Sequence, residues 1–235
     1  MSFLEHLDEL RKRIVHALLA VAVGIGVSFF FIDRIAEFLL APTRRILPPG
    51  SKMIYTQPGE AFSFDVQIAL IAGVVLASPV IAYQVWMFIA PGLYANEKRL
   101  AIPFVLLSTI GFVAGALFNH YVVFVWMMAF FASFHTPDLQ FLPRLDDVFD
   151  LYTKMLLGMG IVFQMPTLIY FLAKMKLVTW RFLVRSFKYA ILVIFIAAAV
   201  ITPSGDMVTQ TIFAAPMIGL YVLGIFIAWI VGPKA

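Results

Sequence analysis

Charged residues fall in short clusters along the chain, and the stretches between them are long and apolar. Ile14 to Ile32 contains no Asp, Glu, Lys or Arg, and about twenty apolar residues suffice to cross a bilayer as a helix. Val66 to Asn96, Leu100 to Pro137 and Met155 to Ala173 are also free of charge. The 38 residues of the Leu100–Pro137 run exceed one crossing, so that helix is expected to project past the membrane. Tyr189 to Ile201 gives 13 apolar residues before Thr202-Pro203-Ser204-Gly205-Asp206, and a last run covers Ile212 to Val231. The pattern predicts six spans, at about 14–32, 67–91, 100–130, 155–173, 189–201 and 212–231, the fifth and sixth short. Mismatch of that kind is met by local bilayer thinning or protein shielding.

Before the first run, MSFLEHLDELRKR places Phe3, Leu4, Leu7 and Leu10 opposite Glu5, Asp8, Glu9 and Arg11. This reads as a short amphipathic helix lying on the membrane. Three acids at the start, a long apolar run and no small-residue cleavage site argue against a removed signal. Asp33 to Asp65 reads as a polar connection punctuated by prolines.

Composition agrees with the pattern. Of 235 residues, 63% are hydrophobic and 13% charged, against about 25% charged in soluble domains, and the mean hydropathy is +0.97. The chain is an all-α integral membrane protein, a single polytopic domain over 1–235; barrel strands would instead alternate over about ten residues. The absence of cysteine excludes disulfides and thiolate chemistry. Six spans put both termini on one side. That side holds eleven Lys and Arg against six opposite, and four acids against nine. The positive-inside rule places it in the cytoplasm.

Few residues offer chemistry. Ser204 and His120 are not oriented towards each other, so a hydrolytic site lacks its nucleophile–base pair. The four histidines are scattered without ligand spacing, and no phosphate-binding Gly-rich loop is present. Gly111 and Gly115 form a GxxxG that permits close helix approach. Gln164, beside Pro166, sits in the middle of the fourth span, where a polar side chain either bonds a neighbouring helix or serves function.

Most informative is SPVIAYQVWMFIAPGLYANEKRL, Ser78 to Leu100. An apolar helix closes with Trp86 and Phe88, turns at Pro91-Gly92 and meets Glu97, Lys98 and Arg99, as at an interfacial turn between spans. Glu97 is either a carboxylate kept for a cationic ligand or a local partner of Lys98 or Arg99. Spans without midplane charges argue against an ion-coupled carrier, although a small-solute or ion secondary transporter stays as the second reading.

In order and spacing, HLDELRKR at 6–13, Ala41-Pro42, SPVIAYQVWMFIAPGLYANEKR at 78–99, G-x-x-F-Q-x-P at 160–166 and ITPSGDMVTQ at 201–210 resemble the TatC family, the polytopic receptor subunit of the twin-arginine protein translocase. The resemblance implies a concave, glove-like arrangement of six helices in a bacterial-type inner membrane, both termini cytoplasmic. It implies no enzymatic activity, no cofactor and no nucleic-acid partner. Its partners would be twin-arginine signal peptides of folded cargo proteins, TatA- and TatB-type single-span subunits, further copies of the chain in the receptor complex, and the lipid bilayer. Transport would be driven by the proton gradient. By the same resemblance Glu9, Arg11, Phe88 and Glu97 are signal-binding residues. Pro42 and Pro79 are structural prolines, and Thr202, Asp206 and Gln210 belong to the last periplasmic turn and the start of the sixth helix. Family members often carry Glu where this chain has Gln164. A carboxylate can accept a guanidinium fork, so the chemistry fits without the name.

Overall fold

The computed structural model describes residues 3–46, 53–89, 100–134, 136, 141–202 and 206–232. Within them the regular structure is helical apart from isolated bridge residues, among them the parallel pair Ile54 and Arg144. Among the described residues five helical stretches, two of them made of consecutive helices, are long and apolar enough to cross a membrane.

Helix α1 (Phe3–Phe29) is one continuous element of 27 residues. The short separate helix expected over 1–13 is its first part, since nothing between Leu10 and Ile14 breaks a helix. It packs along α3 (Glu60–Ile89). A Cβ placed on Gly24 would lie 2.6 Å from the Gly73 carbonyl oxygen, so the two backbones touch there, as small residues allow between membrane helices.

The expected polar connection holds a helix, α2 (Ile32–Ile46). Ile32, Ile35 and Leu39 pack inward while Asp33, Arg34, Glu37, Arg44 and Arg45 stay exposed. That is an amphipathic stripe at helical spacing, with Pro42 buried in its last turns. After it, the Glu60 carboxylate takes the Arg144 guanidinium at 2.7 Å and the Thr56 amide at 2.9 Å. Leu145 N–H donates to Ile54 O at 2.9 Å. These bonds tie the starts of the second and fourth spans together.

The third span is α4 (Ala101–Phe118), a π-turn at Asn119–Val123 and α5 (Phe124–Ala132). Its 32 residues reach about 48 Å at 1.5 Å each, beyond the hydrocarbon thickness as expected. The GxxxG serves internal packing: Cβ atoms on Gly111 and Gly115 would lie 3.0 Å from Phe163 O and 2.6 Å from Met159 O. The fourth span, α6 (Leu145–Val162) and α7 (Met165–Lys174), is the most buried of the five candidates, and α1 the least. Tyr152, Met155 and Met159 of the fourth span are fully buried in one cluster with Met127, Met128 and Phe213.

Helix α7 ends in a Schellman turn. Lys176, at φ 60°, donates to Ala173 O at 3.0 Å and Leu177 to Leu172 O at 2.9 Å. A short α8 (Trp180–Arg185) leads into α9 (Phe187–Ile201), 15 residues and so about 22 Å. Helix α9 falls on the short fifth run read from the sequence and is not among the five membrane-length stretches. Helix α10 (Met207–Val231), with 25 residues, is one of them and begins before the 212–231 run that was expected. Asp206 starts it early by accepting from Val208 N–H at 3.0 Å and Thr209 N–H at 2.8 Å.

Candidate signal-binding site

Glu9 and Phe88, far apart in the chain, meet the same helix pair. His6, Glu9 and Arg13 follow one face of α1, and Gln84 and Phe88, four apart, follow one face of α3. Arg13 Nε donates to Glu9 Oε1 at 2.7 Å, and Nη2 donates to the same oxygen. Arg13 Nη1 reaches Gln84 Oε1 at 3.2 Å. The His6 ring stacks on Phe88 with centroids 4.5 Å apart and planes at 25°. Glu9 and Arg13 are both about four-fifths covered. The pair therefore holds one carboxylate oxygen, Oε1, in a fixed direction. Oε2 makes no hydrogen bond among the described residues and stays available as an acceptor.

Arg11 does not join this arrangement. Two positions from Glu9 is about 200° around a helix, and Arg11 is exposed with no ion pair among the described residues. Its place beside Glu9 is taken by Arg13. The sequence reading missed Arg13, Gln84 and His6; the Glu9–Arg13 spacing of four was the signal that pointed to the first.

Glu97, with Pro91-Gly92, Lys98 and Arg99, lies outside the described residues. The described residues on either side of that stretch meet in aromatic packing. Trp86, Phe104 and Phe171 form a separate buried cluster, with centroids 5.1 Å apart for Trp86–Phe104 and for Phe104–Phe171 and 5.9 Å for Trp86–Phe171. Tilted and edge-on rings at such distances are favourable packings. The triad joins the end of α3, the start of α4 and the end of α7, and Leu100 packs on it.

Gln164 occupies the break between α6 and α7. Pro166 has no N–H, so Val162 O loses its helical donor. Gln164 N–H turns to Ile161 O at 2.9 Å. The side-chain amide then donates to Gly160 O at 3.3 Å and, across to α4, to Ser108 O at 3.0 Å. The interhelical bond is thus made. Thr202 is buried and donates to Ala198 O at 2.7 Å, and Gln210 Nε2 donates to Phe195 O at 2.8 Å, locking the start of α10 to α9. The Pro203–Gly205 turn between them lies outside the described residues. Pro79 lies exposed within α3. No group of three or more His, Asp or Glu that could hold a metal occurs among the described residues.

The profile of the family described as Sec-independent protein translocase protein (TatC) matches residues 5–216. The chain belongs to the TatC family. The TatC protein of Koribacter versatilis is 41% identical over 239 residues, covering 100% of this chain and 87% of that one. That of Helicobacter pylori strain J99 is 40% identical over 228 residues, covering 97% and 89%. A crystal structure of the twin arginine translocase receptor TatC superposes with a TM-score of 0.82 at 35% identity, covering 95% of this chain and 97% of that one. A TatC-family chain is a multi-pass membrane component of a protein translocase and not an enzyme, and the transporter reading is not favoured.

Proposed function

We propose that this TatC-family chain is the signal receptor of a twin-arginine translocase, taking the arginine pair of a cargo signal at Glu9 and Glu97. The observation that carries the reading is Glu9: a carboxylate steered by Arg13 and Gln84, with one oxygen left open, next to the aromatic Phe88. An Arg guanidinium reaching Oε2 would gain one charge-assisted bond there, while the two-oxygen grip that favours Arg over Lys is open only to a carboxylate with both oxygens unengaged. Exposed ion pairs contribute about 0–1 kcal/mol each, so the apolar part of the signal must add the rest along the bundle. The role named for the crystallised relative, a twin arginine translocase receptor, supports the assignment. With it go six spans, both termini cytoplasmic, an inner-membrane setting, TatA- and TatB-type partners, self-association and transport of folded cargo on the proton gradient. The split of bases between the two sides supports that topology.

Binding of a fluorescent twin-arginine peptide to the purified full chain tests the reading. Glu97→Gln and Glu9→Gln should each weaken binding while leaving thermal unfolding near wild type. Unchanged affinity in both variants would refute the site. Reporter fusions after Lys234 and within 174–188 should read cytoplasmic, and fusions near Gly50 and Asp146 the opposite side. A periplasmic C-terminus would overturn the six-span topology.

A further inference from the structure

On the other flank of the molecule, α2 stands off α3, α4 and α6 and leaves an apolar groove of about 270 Å³. Ile35 and Leu39 form one wall, Ile71, Val75 and Val113 the other, and the His120–Tyr152 pair closes it, with Nδ1 and the phenol oxygen 3.0 Å apart. That bond pairs Nδ1 with the phenol, and every other side chain lining the groove is apolar, so the groove offers little that water could bind. Phe38, stacked on His120 with centroids 4.2 Å apart, separates the groove from a second recess of about 240 Å³. Phe38 and His120 line both, and the recess runs past Pro42 and Tyr121 to Arg45.

Arg45 is exposed in the last turn of α2, beside Arg44, and makes no ion pair among the described residues. The nearest acid earlier on α2, Glu37, is eight residues back, about 12 Å along the axis. A dry apolar trough, with an unpaired cation at the far side of the recess that adjoins it across Phe38 and His120, matches an amphiphile with one anionic end. In a chain that lives in a bilayer, that amphiphile is a phospholipid. We propose that this groove is a binding site for an anionic phospholipid, with an acyl chain between α2 and α3 and the phosphate on Arg45. Free inorganic phosphate would use only Arg45; the lipid uses the groove as well.

The test is native mass spectrometry of the full chain released from nanodiscs containing equal phosphatidylglycerol and phosphatidylcholine. A base near the membrane surface favours an anionic lipid by about fivefold, so phosphatidylglycerol should be retained with about that enrichment. Arg45→Gln should abolish the enrichment and Arg45→Lys should keep it, while Ala72→Phe, which fills the groove, should lower retention of both lipids. Glycerol phosphate added at millimolar concentration should displace neither. Enrichment that survives Arg45→Gln would overturn the proposal, and displacement by glycerol phosphate would reduce the site to a phosphate contact. A photocrosslinker at Leu76, exposed on the groove, should capture lipid. Capture of a second copy or of an added signal peptide instead would make the groove a protein interface and refute the lipid assignment.

Discussion

Replacing Gln164 by Leu keeps the volume of the side chain close to native and removes its amide. Two bonds go with it: the 3.0 Å bond to Ser108 O on α4 and the 3.3 Å bond to Gly160 O at the end of α6. Interhelical bonds in membranes average about 0.6 kcal/mol. Gly160 O has also lost its backbone donor, because Gln164 N–H bonds Ile161 O. Gly160 is buried, and leaving its carbonyl unsatisfied costs about 1–3 kcal/mol. Together the loss should be about 2–4 kcal/mol, which for a chain of this size lowers Tm by roughly 4–16 °C. Thermal unfolding in detergent, followed by tryptophan fluorescence, reads this directly, and transport should survive near normal levels. A stable, fully folded Gln164→Leu protein that cannot transport would refute the structural account and show that the amide itself takes part in function.

Other substitutions test the packing. Gly115→Ala would drive a methyl against Met159 O and should cost about 1–3 kcal/mol in the same unfolding assay. Gly26→Ala, with nothing within 4 Å of the new carbon, should be neutral or stabilising by up to about 1 kcal/mol. Asp206→Ala removes the cap of α10 and should cost about 0.5–2 kcal/mol, while Asp206→Asn should recover most of it. Glu60→Gln frees Arg144 and should speed hydrogen exchange at the Leu145 amide, which bonds Ile54 O; unchanged exchange would show that the ion pair does not hold that junction.

Spans were legible because the bilayer demands uninterrupted apolar length, and charges in this chain fall between such runs. Where polar residues are helical for other reasons, hydropathy misleads. Helix α2 hides behind Asp33, Arg34 and Glu37, although Ile32, Ile35 and Leu39 carry its inward stripe. The start of α10 hides behind Thr209, Gln210 and Thr211, which a local cap at Asp206 makes helical. The break in the fourth span was signalled by Pro166, but its partner on α4 could not be read, since a hydrogen bond from Gln164 to a backbone carbonyl 56 positions away leaves no residue pattern. At the site, Glu9 and Phe88 were named from the motif. Their neighbours Arg13, Gln84 and His6 depend on how α1 lies against α3, which the close approach of Gly24 and Gly73 sets.

The claim that a carboxylate of this chain grips the arginines of a signal is tested most directly by a double-mutant cycle. Binding of peptides with an Arg-Arg or Lys-Lys pair is measured against the wild-type chain, Glu97→Gln and Glu9→Gln. Partners in contact couple by about 0.5 kcal/mol or more, whereas distant sites add. The receptor account predicts that Lys-Lys weakens binding to the wild type and weakens it much less once the contacting carboxylate is gone. Energies that add for Glu97 would move the contact to Glu9, and energies that add at both positions would contradict the account.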